Sequence, residues 1–280
     1  MNYPARIALA QLPTPIEKLE RLSRHLGGPE IFIKRDDQTG LAGGGNKTRK
    51  LEFVLAEALA QKCTHLVTLG GPQSNHCRQT AAAAAKLGLR CSLVLRGAAP
   101  AQSLGNLLLD ELFNAELHWA GARTREEVAK EVVESLRLKG ERVYLIPLGA
   151  SDGLGAIGYV AAMEEALAQL AAQKIKVDAT VVASSSAGTQ AGLVLGAALR
   201  GYTGRVLGIS IDASETELTA RVSQIALDAA QLLHVKPNPL RIEVNADYLG
   251  GGYAVVGGLE RDAIRTVART EGLLLDPVYT

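Results

Sequence analysis

Lys47 stands in the run "GGGNKTRK", Gly43 to Lys50, where glycine, lysine and threonine follow one another much as in a phosphate-binding loop. A nucleotide P-loop needs Gly-x-x-x-x-Gly-Lys-Ser/Thr between a strand and a helix, so that backbone amides wrap the phosphates and the lysine reaches them. Gly40 and Gly45 have the glycine spacing, but Asn46 separates Gly45 from Lys47, and "KRDDQT" intervenes where a strand should run in. The nucleotide-hydrolase reading is therefore weak. Asn46 is instead placed to cap a helix on which Leu51, Val54, Leu55, Ala58 and Leu59 share one face. Lys47 lies four residues before Leu51 and continues that stripe, so its side chain is expected to point inward while Arg49 and Glu52 face away. A lysine at the positive end of a helix with little water around it loses its proton more readily. A neutral amine attacks carbonyls, which suits Schiff-base chemistry. Spacing alone leaves a second reading open, a lysine that snorkels from the helix end to solvent.

The other reactive side chains are less distinctive by themselves. "QSNH", Gln73 to His76, precedes a helix and reads as an ordinary N-cap, with His76 structural; Ser74 has no obvious Ser-His-Asp arrangement around it. Cys63, Cys77 and Cys91 lack paired metal-ligand spacing, and their odd number argues against a disulfide framework, so a metal site is not expected and a reducing compartment is.

The elements that must position these residues alternate. "EIFIK" has strand character and 46–61 helical spacing. The strands "THLVTLG", "CSLVLRG", "AELHWA" and "RVYLIPLG" then take turns with helices at 76–88, 104–114 and 124–139. After "GASDGLGAIG" come a helix to about 173, "DATVVAS", a helix from about 188, "RVLGISI" and a helix over 214–234. Such alternation implies parallel strands with helical crossovers, in an open α/β sheet or a barrel. Ligands then bind beyond the carboxyl ends of strands, where loops 70–76 and 184–189 fall. With 280 residues, 47% of them apolar, the chain can bury a large core, and a net charge of +1 gives no sequence-wide grip on nucleic acid. No basic segment followed by a long apolar run opens the chain, and no apolar stretch of about 18 residues spans a bilayer. A soluble, cytoplasmic protein is expected.

"IKRDDQTGLAGGGNKTRKLEF", "LGGPQSNHCRQTAAAAAKLGL", "SSSAGTQAG" and "DPVYT" together resemble the pyridoxal-phosphate enzymes that include D-cysteine desulfhydrase, 1-aminocyclopropane-1-carboxylate deaminase and L-cysteate sulfo-lyase, from about Leu12 to Thr280. The resemblance implies a fold like the tryptophan synthase β subunit, with two open α/β sheet domains. Residues 1–49 and 151–280 would form a large cofactor-binding domain, incomplete at its C-terminal end, and 50–150 a small one. It implies pyridoxal 5'-phosphate as cofactor, a small amino acid as substrate, and a homodimer. Lys47 matches the family lysine bonded to the cofactor aldehyde, and Lys50 a lysine near the phosphate. Ser186, Ala187, Gly188 and Thr189 match the phosphate loop, although family members often carry glycine at Ser185 and Ala187. Ser74, Asn75 and His76 match the loop that receives the substrate carboxylate, and Asn75 should also reach the cofactor phenolate oxygen.

Tyr253 in "GGGYAVVG" matches a tyrosine of a family loop in which Ala254 is usually glycine, and Tyr279 matches a tyrosine beside the cofactor. Thr280 falls where aminocyclopropane deaminases have a glutamate. A carboxylate there strengthens the pyridine ring as an electron sink. A threonine supplies no such charge, and β-elimination needs less carbanion stabilisation than ring opening. The resemblance thus implies D-cysteine cleaved to pyruvate, sulfide and ammonia, with L-cysteate sulfo-lyase as runner-up and aminocyclopropane deaminase behind it. Relatives continue past "DPVYT", so an inactive cofactor-binding scaffold or a truncated fragment is the rival of a different class.

Overall fold

A computed structural model describes residues 1–279, and these divide by internal packing into two units. The first contains Met1–Leu12 and Asp36–Gly158; the second contains Pro13–Arg35 and the chain from Tyr159 onward. This partition by contact is a different cut from the functional division implied by the resemblance: residues 1–12, 36–49 and 151–158 pack within the first unit.

The first unit is built on four parallel strands. They are β3 (His65–Gly70), β4 (Arg90–Leu95), β5 (Glu116–Trp119) and β6 (Val143–Leu145), arranged β5-β4-β3-β6. Their continuous apolar runs are those of strands covered on both faces. Leu66, Leu93 and Leu95 pack on one side with Leu51, Val54 and Leu55 of α2 (Lys47–Ala60), with Cys77, Ala81 and Ala84 of α3 (Asn75–Leu87), and with Leu107 of α4 (Asn106–Leu112). Val67, Leu69 and Val94, one residue out of step, meet Val128, Val132, Val133 and Leu136 of α5 (Arg125–Leu138) on the other. That alternation is the two-residue period of a strand.

The second unit has three parallel strands, β7 (Ala179–Ser184), β8 (Arg205–Ser210) and β9 (Glu243–Asn245), in that order. Helices α7 (Gly188–Arg200) and α8 (Glu215–Leu232) alternate with them. The chain passes from the first unit to the second within α6 (Gly153–Ala172). Besides β9, three elements of the second unit are absent from the sequence reading: β1 (Ile16–Lys18), α1 (Glu20–Leu26) and α9 (Gly258–Glu271). The ribbon of β1 and β2 (Phe32–Lys34) is antiparallel, and Leu19 and Leu22 at the start of α1 pack against Val267 of α9.

Candidate active site

The glycine run is shaped by close approach of backbone. Gly44, at φ 75°, leaves no room for a Cβ, which would lie 1.8 Å from the Asp37 carbonyl oxygen; at Gly45, φ 125°, a Cβ would meet Gln79 Nε2 at 2.4 Å. This tight loop delivers the chain to α2 with Lys47 as its first residue. Lys47 is 6% exposed and its Nζ donates to Asn46 Oδ1 at 2.9 Å. Asn46 occupies the N-cap position but makes no side-chain capping bond; its backbone, at φ −62° and ψ −24°, is already helical rather than in the extended form typical of a capping residue. The expected inward direction of Lys47 holds.

The expectation for Arg49 and Glu52 does not. Both are buried, at 2% and 3% exposure. Arg49 grips Asp36 through Nε and Nη2, both at 2.9 Å, and Glu52 Oε1 accepts from the Leu9 and Ala10 amides, each at 2.9 Å. The stripe alone reads these polar side chains as solvent-facing, whereas α2 is covered nearly all round and its charges are paired with distant backbone and side chains.

Lys50 is fully buried, and its Nζ donates to Gly149 O at 3.2 Å and Ser151 Oγ at 3.0 Å. Burial pushes its ammonium well below the usual lysine range; the neighbouring Lys47 charge adds to this and Asp152 opposes it. Burial likewise depresses the His76 imidazole well below the usual range, with the positive charges of Lys47 and Lys50 adding to it. His76 Nε2 lies 2.8 Å from Thr68 Oγ1, and that hydroxyl donates to the Ile146 carbonyl at 2.9 Å. The Thr68 proton being committed, Nε2 must carry the hydrogen and donate to Thr68, which fixes a neutral tautomer with Nδ1 unprotonated. His76 Nδ1 is buried without a hydrogen-bond partner among the described residues.

Ser74 caps α3: its Oγ accepts from the Cys77 amide at 3.2 Å, which leaves its hydroxyl proton to give. Asn75 opens the helix, and its Oδ1 accepts from Asn106 Nδ2 at 2.9 Å. Sequence reasoning missed Asn106, Arg78 and Gln79, which support these loops. Gln79 Nε2 and Arg78 Nη2 both donate to Gly44 O, at 2.7 and 2.9 Å, and Thr48 Oγ1 donates to Gln79 Oε1 at 2.8 Å. A buried glutamine inside the alanine-rich face of α3 was the available signal, since buried polar residues need partners.

In the second unit the predicted phosphate loop forms the turn from β7 into α7. Ala187 sits in the left-handed region at φ 70° and immediately precedes the helix. The Gly188 amide donates to Ser186 O at 3.0 Å, so it serves the turn itself. Ser185 Oγ donates to Asp212 Oδ2 at 2.5 Å and Arg221 Nη1 donates to Ser185 O at 2.6 Å; neither Asp212 nor Arg221 was foreseen. Tyr253 and Tyr279 are brought together by a side-chain hydrogen bond. Burial is the main cause raising the Tyr279 phenol, and the charges of Asp212 and Asp276 add to it. Thr280 lies outside the described residues.

The structure thus gathers Lys47, Lys50 and His76 in the first unit and Tyr253 with Tyr279 in the second. Each unit by itself offers groups of a kind that suits part of a phosphorylated aldehyde. A buried amine stands at a helix start, and small residues open a strand-to-helix turn. At the end of β7, Ser184 Oγ is buried without a hydrogen-bond partner. Residues 7–280 match the family described as pyridoxal-phosphate dependent enzymes.

The chain belongs to that family. It is 42% identical to D-cysteine desulfhydrase of Klebsiella pneumoniae (strain 342) over 281 residues, covering 98% of this chain and 85% of the relative. D-cysteine desulfhydrase of Salmonella choleraesuis (strain SC-B67) is 41% identical over 289 residues with the same coverage. Among solved structures, an ACC deaminase homologue superposes with a TM-score of 0.91 at 39% identity, over 100% of this chain and 84% of that one. A T.th. threonine deaminase, at 20% identity and a TM-score of 0.68, over 94% of this chain and 83% of that one, shares the fold. The chain is accordingly a pyridoxal-phosphate-dependent lyase with the type II fold. Among the described residues no helix is long and apolar enough to cross a membrane.

Proposed function

We propose that this enzyme carries out β-elimination on a small β-substituted amino acid, with D-cysteine as substrate and pyruvate, sulfide and ammonia as products. What carries the reading is 42% identity to a D-cysteine desulfhydrase over 98% of the chain. Pyridoxal phosphate, when bound, supplies an electron sink that spreads the charge left as the substrate's α-proton departs.

The chain's residues take the following roles in this reading. Lys47 Nζ would hold the cofactor aldehyde and move the substrate's α-proton. Lys50 contributes near the cofactor phosphate, which the turn at Ser186, Ala187, Gly188 and Thr189 receives at a helix start. Ser74 gives its hydroxyl proton to the substrate carboxylate, alongside the Asn75 amide and the His76 backbone N–H. Tyr279, whose phenol is raised mainly by burial, keeps its proton at neutral pH and would serve with Tyr253 as a donor. The assembly is read as a cytoplasmic homodimer, to which three buried free cysteines are suited.

Purified protein supplied with D-cysteine should release pyruvate and sulfide. Pyruvate and sulfite from L-cysteate alone would move the substrate to the sulfonate, and 2-oxobutanoate from 1-aminocyclopropane-1-carboxylate alone would move the reaction to ring opening. Bound cofactor with no product from any of the three would leave a scaffold. Borohydride reduction followed by peptide mapping should place the cofactor on Lys47; a label elsewhere refutes the lysine assignment.

A further inference from the structure

Four hydrogen bonds, three of them to the side chain, meet on one residue that the proposed chemistry does not use. Asn106, the first residue of α4, accepts at Oδ1 from Arg78 Nη1 at 3.1 Å. Its Nδ2 donates to the Gln73 carbonyl at 2.8 Å and to Asn75 Oδ1 at 2.9 Å, and its backbone amide donates to Gln73 Oε1 at 2.9 Å. The orientation of the Asn106 amide is fixed twice over. A guanidinium only donates, so the oxygen must face Arg78; a backbone carbonyl only accepts, so the nitrogen must face Gln73. Because that nitrogen also meets Asn75, the Asn75 amide has one permitted direction: oxygen toward Asn106, NH2 turned the other way. Arg78 in turn is anchored at 2.9 Å on Gly44 O, three residues ahead of Lys47.

We propose that Asn106 is a positioning residue whose amide, held by Arg78, makes Asn75 present its donor end to the cofactor's phenolate oxygen. The proposal rests on the reading of Asn75 given above. Arg78 and Asn106 form a strut that ties the loop carrying Asn75 to the loop carrying Lys47, both within the first unit. The polarity of the Asn75 amide is set by residues that touch neither cofactor nor substrate.

Two substitutions at one position separate this from a merely structural part. Asn106→Asp keeps an acceptor for Arg78 but offers Asn75 only oxygen, so the Asn75 amide turns round and directs its own oxygen at the phenolate. Asn106→Ala removes the preference without reversing it. Equilibrium binding of pyridoxal phosphate to the cofactor-free proteins, followed by absorbance, should therefore weaken about tenfold or more in Asn106→Asp and clearly less in Asn106→Ala. The pH at which the bound cofactor's visible band titrates should rise in the aspartate variant alone. An aspartate oxygen also faces the Gln73 carbonyl, so the loss must depend on Asn75: in an Asn75→Ala background Asn106→Asp should cost no further affinity, and a loss that persists there, or two unchanged affinities in the single variants, overturns the proposal.

Should Asn106→Asp fail to fold, the Asn75→Ala background decides. There a further Asn106→Ala change should leave cofactor affinity where it was, and an additional loss overturns the proposal. Failure of the underlying reading looks different, for then the unaltered protein takes up no cofactor at a lysine, and the proposal falls with it.

Discussion

Replacing Asp110 by asparagine should make the protein less stable in acid and more stable above neutrality. Asp110 lies in α4, one turn after Asn106, and is fully buried with neither carboxylate oxygen hydrogen-bonded. Burial pushes its carboxyl from 3.8 up to about 7; the Arg78 guanidinium of α3 pulls against this and Glu111 adds to it. The Cys77 and Cys91 thiols, electrostatic neighbours of Asp110, are themselves raised by burial, Cys77 to about 12, and stay neutral in the range of interest. The folded state therefore holds a proton that the unfolded chain has released between about pH 4 and 7. Stability contributed by this group is fully present below about pH 4 and is lost as pH rises through that window.

A shift of about 3 units corresponds to about 4 kcal/mol. Asparagine stays neutral throughout but leaves an amide to satisfy, at a cost of about 1–3 kcal/mol. The variant should then be worse by about that amount near pH 4 and better by about 1–3 kcal/mol near pH 8. Urea unfolding of the cofactor-free proteins at intervals from about pH 4 to 8 measures the difference between the two curves, in which the titration of all other groups cancels. Parallel curves, or a carbon-13 titration of the Asp110 carboxyl with a midpoint below about pH 5, would refute the placement of an ionisable group without partners in this core.

Other perturbations test the supports of the site. Glu52→Ala strips the acceptor from two amides, Leu9 and Ala10, and should lower unfolding stability by about 2–5 kcal/mol in denaturant titration, well beyond an ordinary surface change. Gly158 in α6 has no space for a side chain, since a Cβ would lie 2.4 Å from Arg49 O and 3.0 Å from Lys50 N. Gly158→Ala should displace the first turn of α2, costing about 1–3 kcal/mol and weakening cofactor uptake measured by absorbance. Ala187→Gly removes the strain of a left-handed alanine at some loss in chain entropy, for a net gain of about 0.5–1 kcal/mol by thermal unfolding.

The parallel sheets were legible because β3, β4, β7 and β8 are six-residue runs of strand-forming side chains separated by helical periodicity. β2 was read as a strand, but β1 and the pairing of the two were not, because three residues carry no readable period and the pairing is set by a connection that α1 interrupts. At the site, Lys47 could be placed from one apolar stripe, and its chemistry came from resemblance. Asn106 could not be found that way, since its partners Gln73, Asn75 and Arg78 lie 28–33 positions earlier and nothing local in "SLGNLLLD" refers to them. Arg49 and Glu52 were misplaced for the same reason: a helix face reads as outward until Asp36 and the amides of residues 9 and 10 are known to meet it.

The start of α2 breaks two rules of local stability at once. Its first turn contains no acidic residue and carries Lys47, Arg49 and Lys50, three basic groups at the positive end of a helix. All three are buried, and among the described residues the Lys50 amine hydrogen-bonds a carbonyl and a hydroxyl. Arg49 recovers part of the cost of desolvation through its fork on Asp36, yet a buried ion pair rarely exceeds what well-packed apolar side chains would contribute. Apolar residues at 47 and 50 would pack without that cost. Stability therefore does not explain the arrangement, whereas binding does. In the proposed reading an anionic, aldehyde-bearing cofactor would add negative charge beside Lys47 and Lys50 and a covalent partner for an amine held away from water. The loop of glycines, the strut from Gly44 through Arg78 to Asn106, and the paired Glu52 hold a destabilised helix start in place until that partner arrives.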